Sequence, residues 1–318
     1  MNTQQIYASV GQLVGGTPIV EIPTYPYTSA RVLLKLEGGN PGGSIKDRPA
    51  KHIIEVAEQK GLLQPYRRGD TILECSGGSM ANGLLTAAQN KYHCIFVVPN
   101  NYSETKIALL KARGAEVIRA DCRKRNDAHY QLAKKMATEN PNYFFADQLH
   151  NPANPEAHYL YTGPEIIDQL GGDRIDYFIT GIGSGGTISG VGKRLKEKYP
   201  SVKIIGVQPV GCDVVNGKAV KHRIQGWGVG LRPATLNDTI LDEVMDVCYW
   251  DAIAECDTVN TCQGLFLGVS SGANIHAAKK LATRVGPTKT ILTLSPDSGG
   301  YYIENYLEFR QYVKNLNY

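Results

Sequence analysis

The sequence has little that would suit a membrane or nucleic-acid-binding protein. None of its apolar runs approaches the roughly 18–20 residues that a membrane-spanning helix needs. Its 34 basic and 30 acidic residues nearly balance, and no basic run carries interleaved aromatic residues. The N-terminus lacks the charged and apolar segments of a signal peptide. We therefore expect a protein that contacts neither a membrane nor nucleic acid.

Metal-binding patterns are also missing. The seven histidines form no HExxH or similar ligand spacing, so the sequence predicts no metal site. Cysteines are few and scattered, with no CxxC pair, and their odd number does not favour a disulfide framework. Dispersed cysteines of this kind are typical of reduced thiols in a cytoplasmic protein.

What the sequence does contain is an alternation of short apolar strands and amphipathic helices, which predicts an α/β fold with parallel βαβ units. A chain of 318 residues has room for two domains or lobes, and the loop-rich stretch 141–155 predicts their boundary. The predicted strands are 30–37, 71–74, 94–99, 115–120, 176–182, 202–209 and 290–296. The predicted helices are 44–60, 79–90, 103–113, 126–139, 187–198 and 272–285.

The segment GIGSGGT at 181–187 follows an apolar strand and opens a helix. Glycines there let backbone N–H groups close around an anion at the positive end of the helix, which favours a phosphate. A dinucleotide site would need an acidic residue about 20 positions on, at the end of the next strand. That strand ends in Gln208 and Pro209, so the nicotinamide oxidoreductase alternative is disfavoured. A plain turn without a ligand would need fewer glycines.

Lys46 lies in the segment NPGGSIKDR at 40–48, at the start of a predicted helix. The positive end of the helix disfavours an ammonium group and favours a neutral, nucleophilic amine. Taken alone, Lys46 would be an ordinary surface lysine. Beside a phosphate-binding segment elsewhere in the chain, a lysine that holds a cofactor as a Schiff base is the better interpretation.

Two further segments place small polar residues at a predicted helix start. GVSSGA at 268–273 offers Ser270 or Ser271, either as a simple N-cap or as a hydroxyl that faces a heterocycle nitrogen. ECSGGSMANG at 74–83 offers backbone N–H groups suited to a carboxylate, although an ordinary capped loop would look similar.

These four segments, in this order, resemble the cysteine synthase and cystathionine β-synthase family of fold type II pyridoxal-phosphate enzymes. The resemblance extends over nearly the whole chain and includes further short stretches. They are GGTP at 15–18, DQ at 147–148, NPANP at 151–155, TGPE at 162–165, IQG at 224–226 with Gly228, and PDSG at 296–299.

The resemblance implies a role for each matching residue. Lys46 holds pyridoxal 5'-phosphate and later acts as the base that moves the α-proton, and Ser270 faces the pyridine nitrogen. The phosphate is bound by Gly183, Ser184, Gly185, Gly186 and Thr187. The substrate carboxylate is surrounded by Ser76, Gly77, Ser79, Met80 and Gln148, with Gly226 in a loop that closes over it.

The same resemblance implies a two-lobed fold like that of the tryptophan synthase β-subunit, each lobe a mostly parallel sheet flanked by helices. Residues 43–150 would form a smaller mobile lobe, and 1–42 with 151–318 the larger, phosphate-binding lobe. The implied reaction is β-replacement on an activated L-serine, such as O-acetyl-L-serine, through an aminoacrylate, with cysteine synthesis preferred. Homocysteine or an amine as nucleophile, a β-eliminating lyase, and a non-catalytic binding protein are the alternatives. A homodimer is implied as well.

One loop departs from the family. Its usual T-S-G-N-T reads Ser76-Gly77-Gly78-Ser79-Met80 here, so Ser79 replaces the asparagine that contacts the ring oxygen of the cofactor. This change leaves the predicted cofactor unaffected and bears on donor and acceptor identity. The stretch KDRPAK at 46–51 resembles a branch that uses an amine nucleophile, whereas 151–155 and 224–226 resemble the sulfide-using cysteine synthases.

Overall fold

The structure is a computed structural model that describes residues 6–24, 29–123 and 127–316. Its chain divides into two compact units. The smaller unit contains Met1–Val14 and Asn40–Ala157, and the larger contains Gly15–Gly39 and His158–Tyr318.

The unit boundaries differ from the predicted 42/43 and 150/151. The start of the chain groups with the smaller unit because the 3-10 helix Val10–Leu13 packs against the helix Ser79–Ala88. Residues 151–157 also belong to the smaller unit, since the short helix Ala153–Ala157 packs against the helix Asp47–Gln59. The mobility of the smaller lobe stays a prediction.

The regular elements alternate along most of the chain. The strands are β1 (Ile19–Ile22), β2 (Arg31–Leu36), β3 (Thr71–Glu74), β4 (His93–Pro99), β5 (Glu116–Ala120), β6 (Tyr143–Phe145), β7 (Tyr177–Gly181), β8 (Lys203–Pro209), β9 (Glu243–Val247) and β10 (Thr290–Ser295). The α-helices are α1 (Asp47–Gln59), α2 (Ser79–Ala88), α3 (Glu104–Ala112), α4 (Ala128–Glu139), α5 (Ala153–Ala157), α6 (Gly163–Leu170), α7 (Gly186–Lys198), α8 (Tyr249–Gln263), α9 (Val269–Val285) and α10 (Ile303–Leu316). A π-helix spans His158–Thr162, and further 3-10 helices span Glu37–Gly39, Asp238–Ile240 and Gly299–Tyr302.

In the smaller unit the described strands form one parallel sheet in the order β5-β4-β3-β6. All four residues of β3 are buried, as expected for a central strand of a parallel sheet that helices cover on both faces. Strand β3 ends at Glu74, and the chain then turns through residues 75–78 into α2.

In the larger unit the described strands form a sheet in the order β1-β2-β10-β7-β8-β9. Every neighbouring pair is parallel except β1 and β2, which run antiparallel with Ile19 opposite Lys35. Strand β7 ends at Gly181, and residues 182–185 lead into α7. In each unit, therefore, a small-residue segment leaves the carboxyl end of a parallel strand and opens a helix, where α/β proteins bind ligands.

Within the described part of the chain, no helix combines the length and the apolar character needed to cross a membrane.

Candidate active site

The glycine segment after β7 leads into α7, and residues 183–187 of this segment are called the cradle below. Its N-cap residue Gly185 has a φ of +83°, and no side chain caps the helix. Helix α7 therefore begins with backbone N–H groups that its own turns do not use, at the positive end of the helix dipole. Gly186 and Ser184 are buried within the unit. Backbone N–H groups at such a helix start suit a phosphate group.

Hydrogen bonds from neighbouring elements fix this segment. Thr235 donates its hydroxyl hydrogen to the carbonyl oxygen of Ser184. The hydroxyl of Thr187 lies 3.2 Å from Nε2 of His158, and Nδ1 of that imidazole lies 3.0 Å from the hydroxyl of Thr162. Buried side chains of the same unit thus hold the cradle in place.

The structure brings Gly183 and Gly226 together within the larger unit. A Cβ atom on Gly183 would collide with the carbonyl oxygen of Gly226. Two residues further on, the backbone nitrogen of Gly228 donates to the carbonyl oxygen of Ile182 at 3.4 Å. The loop carrying Gly226 therefore packs directly on the cradle, within the larger unit.

We expect Gly183→Ala to weaken cofactor retention on the order of tenfold or more. The new methyl group would push the Gly226 backbone away, and an overpacked site typically loses about 1–3 kcal/mol. Cofactor content, read from visible absorbance during dialysis, measures the loss. Gly39→Ala is the matched control, because its Cβ would meet only a Thr17 methyl group at 3.9 Å. Equal cofactor loss in both variants would contradict the packing argument.

Ser270 occupies the first turn of α9 and is 5 % exposed. Its hydroxyl has no hydrogen-bond partner among the described residues. By contrast, the hydroxyl of the adjacent Ser271 lies 3.0 Å from that of Ser295 and serves the core. The sequence offered either serine for a heterocycle nitrogen, and the geometry favours Ser270.

Lys46 is the N-cap residue of α1, and its side chain makes no capping hydrogen bond. Its backbone nitrogen donates to the hydroxyl of Ser44 at 3.2 Å. Helix α2 passes so close that a Cβ on Gly83 would lie 2.9 Å from the carbonyl oxygen of Lys46. The lysine backbone is therefore fixed from two sides, while its half-buried side chain contributes nothing to the helix cap.

The loop after β3 leads into α2, whose N-cap Gly78 also offers no side-chain cap. Ser76 and Ser79 are half-buried, and the ring of Tyr102 covers Gly77. Met80 was expected beside the substrate carboxylate, but its side chain is 2 % exposed and packs in the core of the smaller unit. A role for Met80 toward a substrate carboxylate can therefore be assigned only to its backbone N–H group, in the uncapped first turn of the helix.

Gln148 follows β6 in the smaller unit. Its backbone carbonyl oxygen accepts a hydrogen bond from Nδ2 of Asn154 at 2.7 Å, and its backbone nitrogen donates to Glu74 at 3.2 Å. Its side-chain amide has no partner within the part of the chain that the structure describes. The backbone is thus held on both sides and the amide is left for a ligand.

Two buried groups were not found from the sequence. Glu74 is fully buried at the end of β3 and bonds both to the following loop and to Gln148. Lys35, in β2, is also fully buried and forms an ion pair with Glu165 at 2.6 Å. Glu165 in turn accepts from the backbone nitrogens of Gly16 and Thr17. These bonds join the GGTP stretch at 15–18 to the TGPE stretch at 162–165, both of which resemble the family. The only local signal in the sequence for the role of Glu74 was its position, as an acidic residue at the end of an apolar strand.

The described residues fit pyridoxal 5'-phosphate. An uncapped helix start with a glycine cradle suits the phosphate, and a buried hydroxyl without a partner suits the heterocycle nitrogen. Lys46 supplies an amine that is not used to cap its helix. Each of these features lies within a single unit, the lysine in the smaller and the other two in the larger.

Comparison with known proteins agrees with this fit. The sequence profile of the family described as "Pyridoxal-phosphate dependent enzyme" matches residues 10–297. A cysteine synthase of Staphylococcus aureus is 40 % identical over 298 residues, which cover 93 % of this chain and 95 % of that protein. An O-ureido-L-serine synthase of Streptomyces lavendulae is 32 % identical over 95 % of this chain and 93 % of its own.

Among solved structures, an O-acetyl serine sulfhydrylase (isoform 3) of Entamoeba histolytica matches with a TM-score of 0.88 and 33 % identity, over 96 % of this chain and 92 % of that one. The chain belongs to the pyridoxal-phosphate-dependent enzymes, and among them to the cysteine synthase and cystathionine β-synthase family. The predictions of a fold type II α/β architecture and of pyridoxal 5'-phosphate as cofactor are confirmed.

Proposed function

We propose that this enzyme catalyses β-replacement on an activated L-serine such as O-acetyl-L-serine, with sulfide as the principal nucleophile and cysteine as the product. The names of its relatives, cysteine synthase and O-acetyl serine sulfhydrylase, support the reaction class. When bound, pyridoxal 5'-phosphate supplies an electron sink for negative charge at the α-carbon of an amino acid.

Ser270 is the observation that most strongly supports this reaction class. A neutral hydroxyl leaves a pyridine nitrogen unprotonated, so the electron sink is weaker than one paired with a carboxylate. Such a partner favours prompt departure of the β-substituent over a long-lived carbanion and disfavours transamination.

Lys46 is assigned the proton transfers. Its amine holds the cofactor at rest, and it later removes and returns the proton at the α-carbon of the amino acid. The rigid backbone around Lys46 supports this role, because a base must stay within hydrogen-bond reach of the proton that it moves.

The carboxylate of the donor is assigned to the first turn of α2 and to the free amide of Gln148. Ser76, Gly77 and Ser79 supply N–H groups and hydroxyls at an uncapped helix start, which stabilises an anion. The loop carrying Gly226 is assigned the exclusion of water. Gly226 and Gly228 have φ angles of +83° and +54°, a conformation that glycine adopts without strain.

A second candidate is the same reaction with a nucleophile larger than sulfide. Ser79 favours it, because a serine fills less space than the asparagine usual at this position in the family. A relative named O-ureido-L-serine synthase is consistent with variation of the nucleophile within the family.

A panel of donors and nucleophiles tests the proposal. O-acetyl-L-serine, O-phospho-L-serine and L-serine are each combined with sulfide, L-homocysteine or an amino-acid amine, and products are identified by mass spectrometry. We expect O-acetyl-L-serine with sulfide to give the highest kcat/KM. Pyruvate formed at the same rate with and without a nucleophile would show a β-eliminating lyase instead.

We expect Ser79→Asn to change the ratio of kcat/KM for sulfide to that for L-homocysteine by about fivefold or more in favour of sulfide. The longer amide narrows the space beside the donor and adds a neutral hydrogen bond on the order of 1 kcal/mol. Met80 is left unchanged in this variant, although the family usually has a threonine there, because a hydroxyl in the apolar core would destabilise the fold. Ser103→Asn, at the exposed N-cap of α3, is the matched control. An unchanged ratio would show that residue 79 does not set specificity.

We also propose that the protein is a cytoplasmic homodimer. Its seven cysteines are all free, which supports a reducing compartment. Apolar side chains are exposed along α10 and beside it, a pattern found at interfaces between protein chains. They are Ile303, Leu307, Tyr312, Val313 and Trp250. Sedimentation velocity of the purified protein distinguishes a dimer from a monomer.

A further inference from the structure

We infer that Glu74 is a positioning residue that holds the loop after β3 and Gln148 in one arrangement for the carboxylate of the donor. The inference rests on the proposed function, because it deepens the assignment of these groups to the donor. Glu74 itself contacts no substrate in this scheme. It acts through the backbone groups that its two carboxylate oxygens hold.

The two oxygens of Glu74 have different partners. Oε1 accepts from the backbone nitrogen of Cys75 at 2.8 Å and from its thiol at 3.4 Å. Oε2 accepts from the backbone nitrogen of Gln148 at 3.2 Å. One carboxylate thus joins two segments that lie 74 residues apart in the sequence. A change in the Glu74 carboxylate therefore affects how both the loop after β3 and Gln148 are held.

A second set of hydrogen bonds fixes the turn that presents Gln148. Asp147 has a φ of +44°, a conformation that costs a residue other than glycine free energy. Its carboxylate accepts from the hydroxyl of Tyr130 at 3.2 Å and lies 2.9 Å from Nδ1 of His150. Its backbone oxygen accepts from the nitrogens of His150 and Asn151. The turn is therefore fixed, and beyond it the backbone of Gln148 is held by its bonds to Glu74 and Asn154.

The pKa of Glu74 is raised to about 7, mainly by burial and to a lesser extent by the nearby carboxylate of Asp147, against the opposing hydrogen bonds from the Gln148 amide and from the thiol and amide of Cys75. The other titratable groups around it are the thiol of Cys75 and, beyond Asp147, Tyr130 and His150. Above pH 7 the ionised carboxylate accepts from both segments. Protonation places a hydrogen on one of the two oxygens, so we expect the link to weaken as the pH falls from 8 through about 7 to 6.

The holoenzyme variant Glu74→Gln tests the inference. A glutamine has only one acceptor oxygen, so it cannot accept from both Cys75 and Gln148. We expect the dissociation constant of L-serine, read from the absorbance of the bound cofactor, to rise on the order of tenfold at pH 8, the effect of one charge-assisted hydrogen bond. At pH 6, where the parent is itself protonated, the variant-to-parent ratio should approach 1. Taking this ratio cancels ionisations that both proteins share.

Hydrogen exchange supplies a readout that does not depend on the reaction. In the variant, peptides covering 71–80 and 146–152 should both exchange faster at pH 8, since one bond joins them. If the parent forms no replacement product, the proposed function fails, while the exchange measurement still decides the role of Glu74. The pH dependence of exchange in the parent, corrected for intrinsic rates, needs no variant and covers the case in which Glu74→Gln does not fold.

Asp70→Asn is the matched control. Asp70 is a buried carboxylate at the other end of β3, where it accepts from the backbone nitrogen of Gln64 at 2.7 Å and from Arg67 at 2.6 Å. We expect it to lower the melting temperature without altering the pH dependence of serine binding. Equal effects of the two variants on serine binding, or a variant-to-parent ratio for Glu74→Gln that is the same at pH 6 and pH 8, would overturn the inference.

Discussion

Lys46→Ala is expected to reduce turnover by roughly 10²–10⁴-fold or more, the contribution of a general base, and to abolish covalent attachment of the cofactor. Helix α1 should keep its N-terminus in the variant, because the Lys46 side chain makes no capping hydrogen bond. Its backbone bond to the hydroxyl of Ser44 is unaffected by the substitution. The measurements are steady-state kcat and peptide mapping after borohydride reduction, which should label Lys46 in the parent only.

Lys51→Ala is the control for this experiment. Lys51 lies in the same helix, with its ammonium 3.8 Å from Glu55 and its side chain 35 % exposed. A surface pair of this kind contributes about 0–1 kcal/mol, so turnover and labelling should match the parent. Retention of both turnover and labelling in Lys46→Ala would refute its assignment as the lysine that holds the cofactor.

Lys35→Met is expected to lower the free energy of unfolding by roughly 3–5 kcal/mol, because it leaves the charge of Glu165 without its buried partner. The ammonium of Lys35 is fully buried and uses its three hydrogens on the carbonyl of Thr17, on Glu165 and on Gln169, at 2.6–2.8 Å. The methionine side chain is close in length to that of lysine, but it supplies no hydrogen-bond donor. Urea unfolding curves, analysed by linear extrapolation, measure the loss.

Lys203→Met tests whether any broken ion pair in the larger unit has this effect. Lys203 bonds Asp242 at 2.9 Å, but its side chain is 56 % exposed, so its removal should cost no more than about 1 kcal/mol. Comparable losses in the two variants would show that burial of Lys35 does not determine its contribution to stability.

The alternating part of the fold could be predicted from the sequence because its strands are apolar and its helices are amphipathic. Strand β3 has the predicted bounds 71–74, β7 is one residue shorter than predicted at each end, and α7 begins one residue earlier than predicted. The shorter or less periodic elements were not predicted. Strand β6 has three residues and exists because it pairs with the distant β3.

Helices α8 and α10 were missed for a different reason. The buried side of α8 includes the small residues Ala252 and Cys256, so its apolar stripe is weak in the sequence. Most of α10 is exposed, and its apolar residues Ile303 and Leu307 face outward. Periodicity identifies a helix by the core that it covers, and it fails where that core is thin or absent.

At the site, contiguous motifs were predictable and long-range contacts were not. The cradle at 183–187 and the segment around Lys46 each carry their signal within a few residues. Glu74 and Lys35 act through partners 74 and 130 residues away, which no local pattern reveals. For Met80 the motif did not reveal that the side chain fills the core, which leaves its backbone N–H group for the predicted role.

Trp227 lies next to the cradle, and this position gives the protein an intrinsic optical probe. Its indole ring covers Gly181 so closely that a methyl group there would overlap the ring, and it directly follows Gly226 in the chain. The other tryptophan, Trp250, is 40 % exposed on the surface of the same unit. Emission from the buried indole is therefore distinguishable by its blue-shifted wavelength and its resistance to iodide quenching. The proposed closure of the Gly226 loop can accordingly be tested by fluorescence in solution, without attaching a dye.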